Sequence, residues 1–216
     1  MPFSFLWFSF LPLASPPRQN YLFTGMNLLF MMTMMPRTLF SVIFGTFLLT
    51  LTTVFSYGDP VMKLTSTAFT DGGKIPVPYV MPGAGGKNIS LPLAWTDAPP
   101  GTKSFALSMV DPHPVARNWV HWLVINLPGD VHSLAEGASG RKMPPGAQEI
   151  ISSFGDPGYG GPQPPGGTGD HPYVATIYAL NVPQLDLSGG ATLAAFQKAL
   201  EGKVLASASI TGYFGR

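Results

Sequence analysis

The chain contains no cysteine, which excludes a disulfide framework, a thiolate metal site and a lipidated-cysteine anchor. Charge is scarce too: 11% of residues are Asp, Glu, Lys or Arg, and the formal net charge is +1. Gripping a nucleic acid takes a dense cationic surface, so that class of partner is excluded. What is plentiful is apolar surface and backbone punctuation, with 45% hydrophobic residues, 25 Gly and 23 Pro among 216 residues. This is enough for one domain with a sizeable core, held by packing alone.

Charge divides the chain unevenly. The first 58 residues hold Arg18 and Arg37 and no acid, leaving 10 basic and 11 acidic residues beyond them. Leu39 to Phe55 is almost wholly apolar or Thr/Ser, follows Arg37, and leads into Ser56, Tyr57 and Gly58. That is the layout of a secretory signal peptide, with Met35 as a start and a cut after Gly58. The region 1–34 then lies upstream of the true start. The alternative is an uncleaved membrane anchor formed by Leu39 to Phe55. Either way the expectation is an exported domain, periplasmic or extracellular, over residues 59–216, with membrane contact only through the leader.

Within 59–216, Gly and Pro recur between short apolar runs, which fits many short strands joined by turns. Strands are expected over Met62 to Phe69, Ser104 to Val110, Trp119 to Leu127, Tyr173 to Leu180 and Val204 to Gly212. The last alternates Val204, Ala206, Ala208 and Ile210 against Ser207, Ser209 and Thr211, which buries one face of a sheet. One helix is expected, capped by Thr192, with Leu193, Phe196 and Leu200 on one face and Gly202 as its stop. The segment from Gly129 to Asp170 is loop-rich, and long loops in a compact domain tend to carry function.

Three clusters bear chemistry. Asp111-Pro112-His113-Pro114 leaves the end of an apolar strand, where two prolines fix the backbone around a carboxylate and an imidazole. In Asn118-Trp119-Val120-His121-Trp122, strict alternation puts Trp119, His121, Leu123 and Ile125 on one face of a central strand, with His121 partly buried. Gly155 to Gly169 is a Gly/Pro run ending in Asp170-His171-Pro172-Tyr173, and glycines can present backbone amides to oxyanions. No Lys-Ser/Thr pair makes it a Walker-type loop. Taken singly, the clusters read as a turn, a satisfied core histidine and a surface loop.

Together and in this order, these motifs resemble the phosphatidylethanolamine-binding protein family, in its bacterial Raf-kinase-inhibitor-like branch, over nearly all of residues 60–216. The resemblance implies an antiparallel β-sandwich with one or two short peripheral helices and a pocket at one end. That pocket would take a small anion: phosphate, a carboxylate or a phospholipid head group. By matching motif positions it would contain Asp111, His121, His171 and Tyr173, with Gly161 and Pro162 shaping its wall. Asp111 would orient and charge a histidine rather than touch the anion. The family reads Asp-Pro-Asp-Ala-Pro where this chain reads Asp111-Pro112-His113-Pro114, so His113 replaces an expected acid and makes the pocket more positive. Pro172 stands where a basic residue is common.

No chemistry and no cofactor are expected. His113, His121, His171 and Asp111 match no compact metal-ligand spacing, and no Gly-x-Ser-x-Gly elbow is present. The alternative function is a protein-interaction domain that inhibits a serine protease or kinase. His171→Ala is expected to weaken anion binding more than His132→Ala, since His132 sits in a polar turn outside every motif. Finally, Asn88-Ile89-Ser90 has the pattern of a glycosylation acceptor.

Overall fold

The computed structural model describes residues 61–216; the expected leader and its cut site lie outside the described residues. Among the described residues, eight strands and one α-helix follow in the order β1 (Lys63–Thr65), β2 (Leu93–Thr96), β3 (Ser104–Asp111), β4 (Trp119–Pro128), β5 (Ser133–Leu134), β6 (Gln148–Ile150), β7 (His171–Leu180), α1 (Leu193–Leu200) and β8 (Val204–Phe214). They form a three-stranded sheet, β1-β2-β5, and a five-stranded sheet, β6-β4-β3-β7-β8. Every strand pair is antiparallel.

The expected sandwich is present, and its core follows from alternation. Leu64 and Trp95 project from the small sheet toward Phe105, Leu107, Met109, Trp122, Val124, Tyr173, Ala175 and Ile177 of the large one, forming the main apolar cluster. The other face of the large sheet contributes Ala106, Val120, Leu123 and Ile125, which α1 covers with Phe196 and Leu200. β3 and β4 are therefore apolar on both faces, as strands covered on both sides must be. α1 begins where expected, with the Thr192 hydroxyl accepting from Ala195 N at 3.2 Å. Gly202 follows it with φ of 69°, a backbone state that glycine adopts without penalty.

The first expected strand is shorter than its apolar pattern. The Ser66 hydroxyl donates to Pro92 O (2.7 Å) and accepts from Ala68 N (3.1 Å), a local turn that takes the chain out of the ladder after Thr65.

A larger difference lies in β4. Met109 pairs with Trp122 but Val110 pairs with Val120, so His121 is a surplus residue in the ladder, a β-bulge. The alternation expected from Trp119 to Ile125 breaks there. Leu123 and Ile125 join Val120 under α1, whereas Trp119 and His121 turn into a hollow at the end of the sheet.

Candidate functional site

Three chain segments converge at that end because the register of the large sheet brings them there. Asp111 closes β3 opposite Trp119, and Val110, the residue before it, lies opposite Val174. The end of β3 therefore meets the starts of β4 and β7. Pro112, which has no N–H to give, ends the ladder directly after Asp111.

Asp111, His121, His171 and Tyr173 all line a hollow of about 290 Å³, and their exposures are 2%, 3%, 0% and 1%. The Asp111 carboxylate is fully engaged: Oδ1 accepts from His113 N at 2.9 Å and Oδ2 accepts from His171 Nδ1 at 2.6 Å. The Thr168 hydroxyl donates to Pro165 O at 2.7 Å and lies 2.9 Å from His171 Nε2. Both ring nitrogens of His171 are thus committed to protein groups.

His121 is placed differently. Its Nδ1 donates to Gly160 O at 2.6 Å, and Nε2 has no hydrogen-bond partner among the described residues. Burial pushes its pKa from the ordinary 6.5 down to about 4, against the opposing pull of the Gly160 carbonyl and the Asp111 charge. Near neutral pH the ring is uncharged, with its proton on Nδ1 and a lone pair on Nε2. Tyr173 stands edge-on to it at 4.9 Å between ring centroids. The Tyr173 hydroxyl is buried without a hydrogen-bond partner, and burial, then the charge of Asp111, raises its pKa.

His113, Gly161 and Pro162 are near the hollow without lining it. The His113 ring stacks on His171 at 3.8 Å and 21°, and its Nδ1 accepts from Val115 N, so it backs His171 rather than facing inward. Gly161 passes so close to the neighbouring chain that a Cβ on it would fall 2.1 Å from Tyr79 O. Pro162 O accepts from Met81 N at 3.1 Å. These two residues tie the wall from behind, and its inner surface is Gln163, Pro164 and Pro165. Phe154 and Thr168 also belong to the site and were not anticipated. Thr168 lies three residues before His171 in the Gly/Pro run, and that proximity was the one signal available.

A second hollow, of about 520 Å³, is lined by Lys87, Asn88, Glu136, Arg141 and Tyr159 among others and holds none of the expected residues. Among the described residues no three of His, Asp and Glu are arranged to hold a metal ion, and no helix is long and apolar enough to cross a membrane.

The family model described as phosphatidylethanolamine-binding protein matches residues 65–215. The UPF0098 protein YbhB of Escherichia coli is 43% identical over 158 residues, covering 71% of this chain and 99% of that protein. A UPF0098 protein of Aquifex aeolicus is 38% identical, covering 76% and 94%. A protein of Mycobacterium tuberculosis named putative lipoprotein LppC is 36% identical, covering 71% and 72%. Among solved structures, E. coli YbcL, described as a new member of the mammalian PEBP family, superposes with a TM-score of 0.69 at 32% identity over 73% of this chain and 99% of its own.

Proposed function

The chain belongs to the phosphatidylethanolamine-binding protein family, and from that premise we propose that its sheet-end hollow binds a small oxyanion (phosphate, a carboxylate or a phospholipid head group) without transforming it. The observation that carries this reading is the Tyr173 hydroxyl, buried and unmatched beside His121. Leaving a buried polar group unmatched costs about 1–3 kcal/mol, and a ligand oxygen in the hollow removes that cost.

The division of labour follows from the hydrogen bonds. Tyr173 donates to the anion. His121, uncharged in the protein alone, is drawn toward protonation by an anion close to Nε2 and then donates as well. Asp111 and His171 hold the frame and do not touch the ligand. The lining contains no serine, cysteine or lysine to act as nucleophile, and both oxygens of its one carboxylate are engaged, which supports binding without chemistry.

The test is an NMR titration of the histidine side chains with phosphorylethanolamine, with acetate in parallel to separate head-group from simple carboxylate recognition. The His121 ring signals are expected to shift. No shift at His121 or His171 at millimolar ligand overturns the proposal. Export is the second part of the reading, supported by the apolar segment Leu39 to Phe55 and by the lipoprotein name of one relative. Intact mass of the native protein is expected to begin at Asp59, and a mass that retains residues 39–55 refutes cleavage.

A further inference from the structure

Asn88 belongs to an acceptor-like triplet, yet its side-chain amide is engaged inside the protein. Oδ1 accepts from Gly161 N at 2.7 Å and Nδ2 donates to Tyr159 O at 3.3 Å. The side chain therefore grips the residues on either side of Gly160. Gly160 in turn meets His121 twice: its N–H donates to His121 O at 2.8 Å, and its carbonyl accepts from His121 Nδ1 at 2.6 Å. Asn88 reaches the wall from the second hollow, which it lines together with Tyr159.

That wall needs an external hold. From Gly158 to Asp170 the chain has no strand or helix, so no ladder fixes the direction of the Gly160 carbonyl. A histidine ring facing an unfixed acceptor can exchange its tautomers. Asn88 supplies the hold, and its own backbone is adapted to the task, with φ of 53°, a left-handed state in which Asn is enriched among non-glycine residues.

We propose that Asn88 is a positioning residue: by pinning Tyr159 and Gly161 it aims the Gly160 carbonyl at His121 Nδ1 and so presents the opposite ring nitrogen to the ligand hollow. The tautomer assignment is a property of the protein alone, while its effect on affinity rests on the anion-binding reading above.

The molecule contains a matched control. Asn126 has φ of 59° and makes the same two-sided grip on Leu185, accepting from its N–H at 2.7 Å and donating to its carbonyl at 3.3 Å. It lies at the opposite end of β4. Glycine at either position keeps the left-handed backbone accessible and removes only the amide.

The experiment records the ¹⁵N signals of the histidine rings in wild type, Asn88→Gly, Asn88→Asp and Asn126→Gly, with phosphorylethanolamine affinity and melting temperature for each. Wild type is expected to show His121 with its proton on Nδ1. In Asn88→Gly that signature is expected to give way to an averaged one and affinity to fall about 10-fold, as for loss of about 1.4 kcal/mol. Asn88→Asp retains the acceptor for Gly161 N and is expected to keep most of the signature. It also serves as the reporter if the glycine variant does not fold. Asn126→Gly is expected to lower the melting temperature while leaving the His121 signature and the affinity alone. An unchanged His121 signature in Asn88→Gly overturns the proposal, and so does its equal loss in Asn126→Gly. Because the tautomer is read without ligand, this inference can fail while the anion-binding reading stands, and the reverse also holds.

Discussion

The two ends of the five-stranded sheet bury polar groups to different effect. At the end where β3 begins, Ser104 is fully buried and its hydroxyl donates to Val182 O at 2.6 Å, while Asn126 and Leu185 satisfy each other in both directions. At the end where β3 stops, Asp111 and His171 are matched as completely, but the Tyr173 hydroxyl and one nitrogen of His121 are not. Burial of polar side chains is therefore no mark of a site, because both ends do it. The unmatched remainder beside open space is the mark. The Trp95 indole N–H is also unmatched, but it sits in the inter-sheet core, edge-on to Phe105, and lines neither hollow.

The strongest way to break this comparison is Asp111→Ala, which strips the acceptor from a buried histidine and is expected to destabilise by about 3–5 kcal/mol. Ser104→Ala at the other end is expected to cost about 1 kcal/mol. Urea denaturation of the two variants side by side checks the contrast, and equal losses erase it.

Next in size is the pH dependence contributed by His121. Its folded pKa, about 4, lies below the ordinary 6.5 because of burial. Between those values the unfolded chain binds more protons than the folded one, so stability rises with pH across that window. The contribution is fully present above pH 6.5 and is lost as pH falls toward 4, on the order of 3 kcal/mol in all. Unfolding midpoints across that range should drop in wild type and drop less in His121→Phe; parallel curves would remove the claim that burial holds this ring uncharged.

Tyr173→Phe sharpens the contrast at a smaller scale. Deleting an unmatched hydroxyl is expected to leave stability unchanged or raise it by up to about 1 kcal/mol, while anion affinity falls about 10-fold. Tyr159→Phe removes a hydroxyl that donates to Tyr79 O at 2.9 Å, and is expected to lose about 1 kcal/mol of stability. The smallest effect is expected from His132→Ala. His132 is an exposed side chain, and its loss should stay within about 0.5 kcal/mol without changing affinity, whereas His171→Ala should weaken binding.

Much of the sandwich was legible because β3 and β4 are continuous apolar runs, β7 and β8 alternate, and α1 carries both a cap and a face. β2, β5 and β6, of four, two and three residues, are too short to show a clear period and were missed. Asp111, His121, His171 and Tyr173, which line one hollow, could be named from motif order. Their unequal roles could not, because these depend on who holds whom. The Thr168 hydroxyl and the Asn88 amide act through backbone groups and neighbouring side chains that spacing does not display. The bulge at His121 was hidden for a similar reason: Val120 to Ile125 is apolar on both faces, so a slip in phase leaves no trace in hydrophobicity.

That slip bears on how such a site can arise. Val120 and Trp122 already occupy the opposite faces they would have as consecutive members of a plain ladder, with Val110 and Met109 across from them. Sheet geometry makes no demand for an amino acid between them. Excising position 121, rather than replacing it, should leave the sandwich able to close with its hydrocarbon in place and its binding capacity gone. Recognition at this edge would then be a one-codon insertion into architecture complete without it.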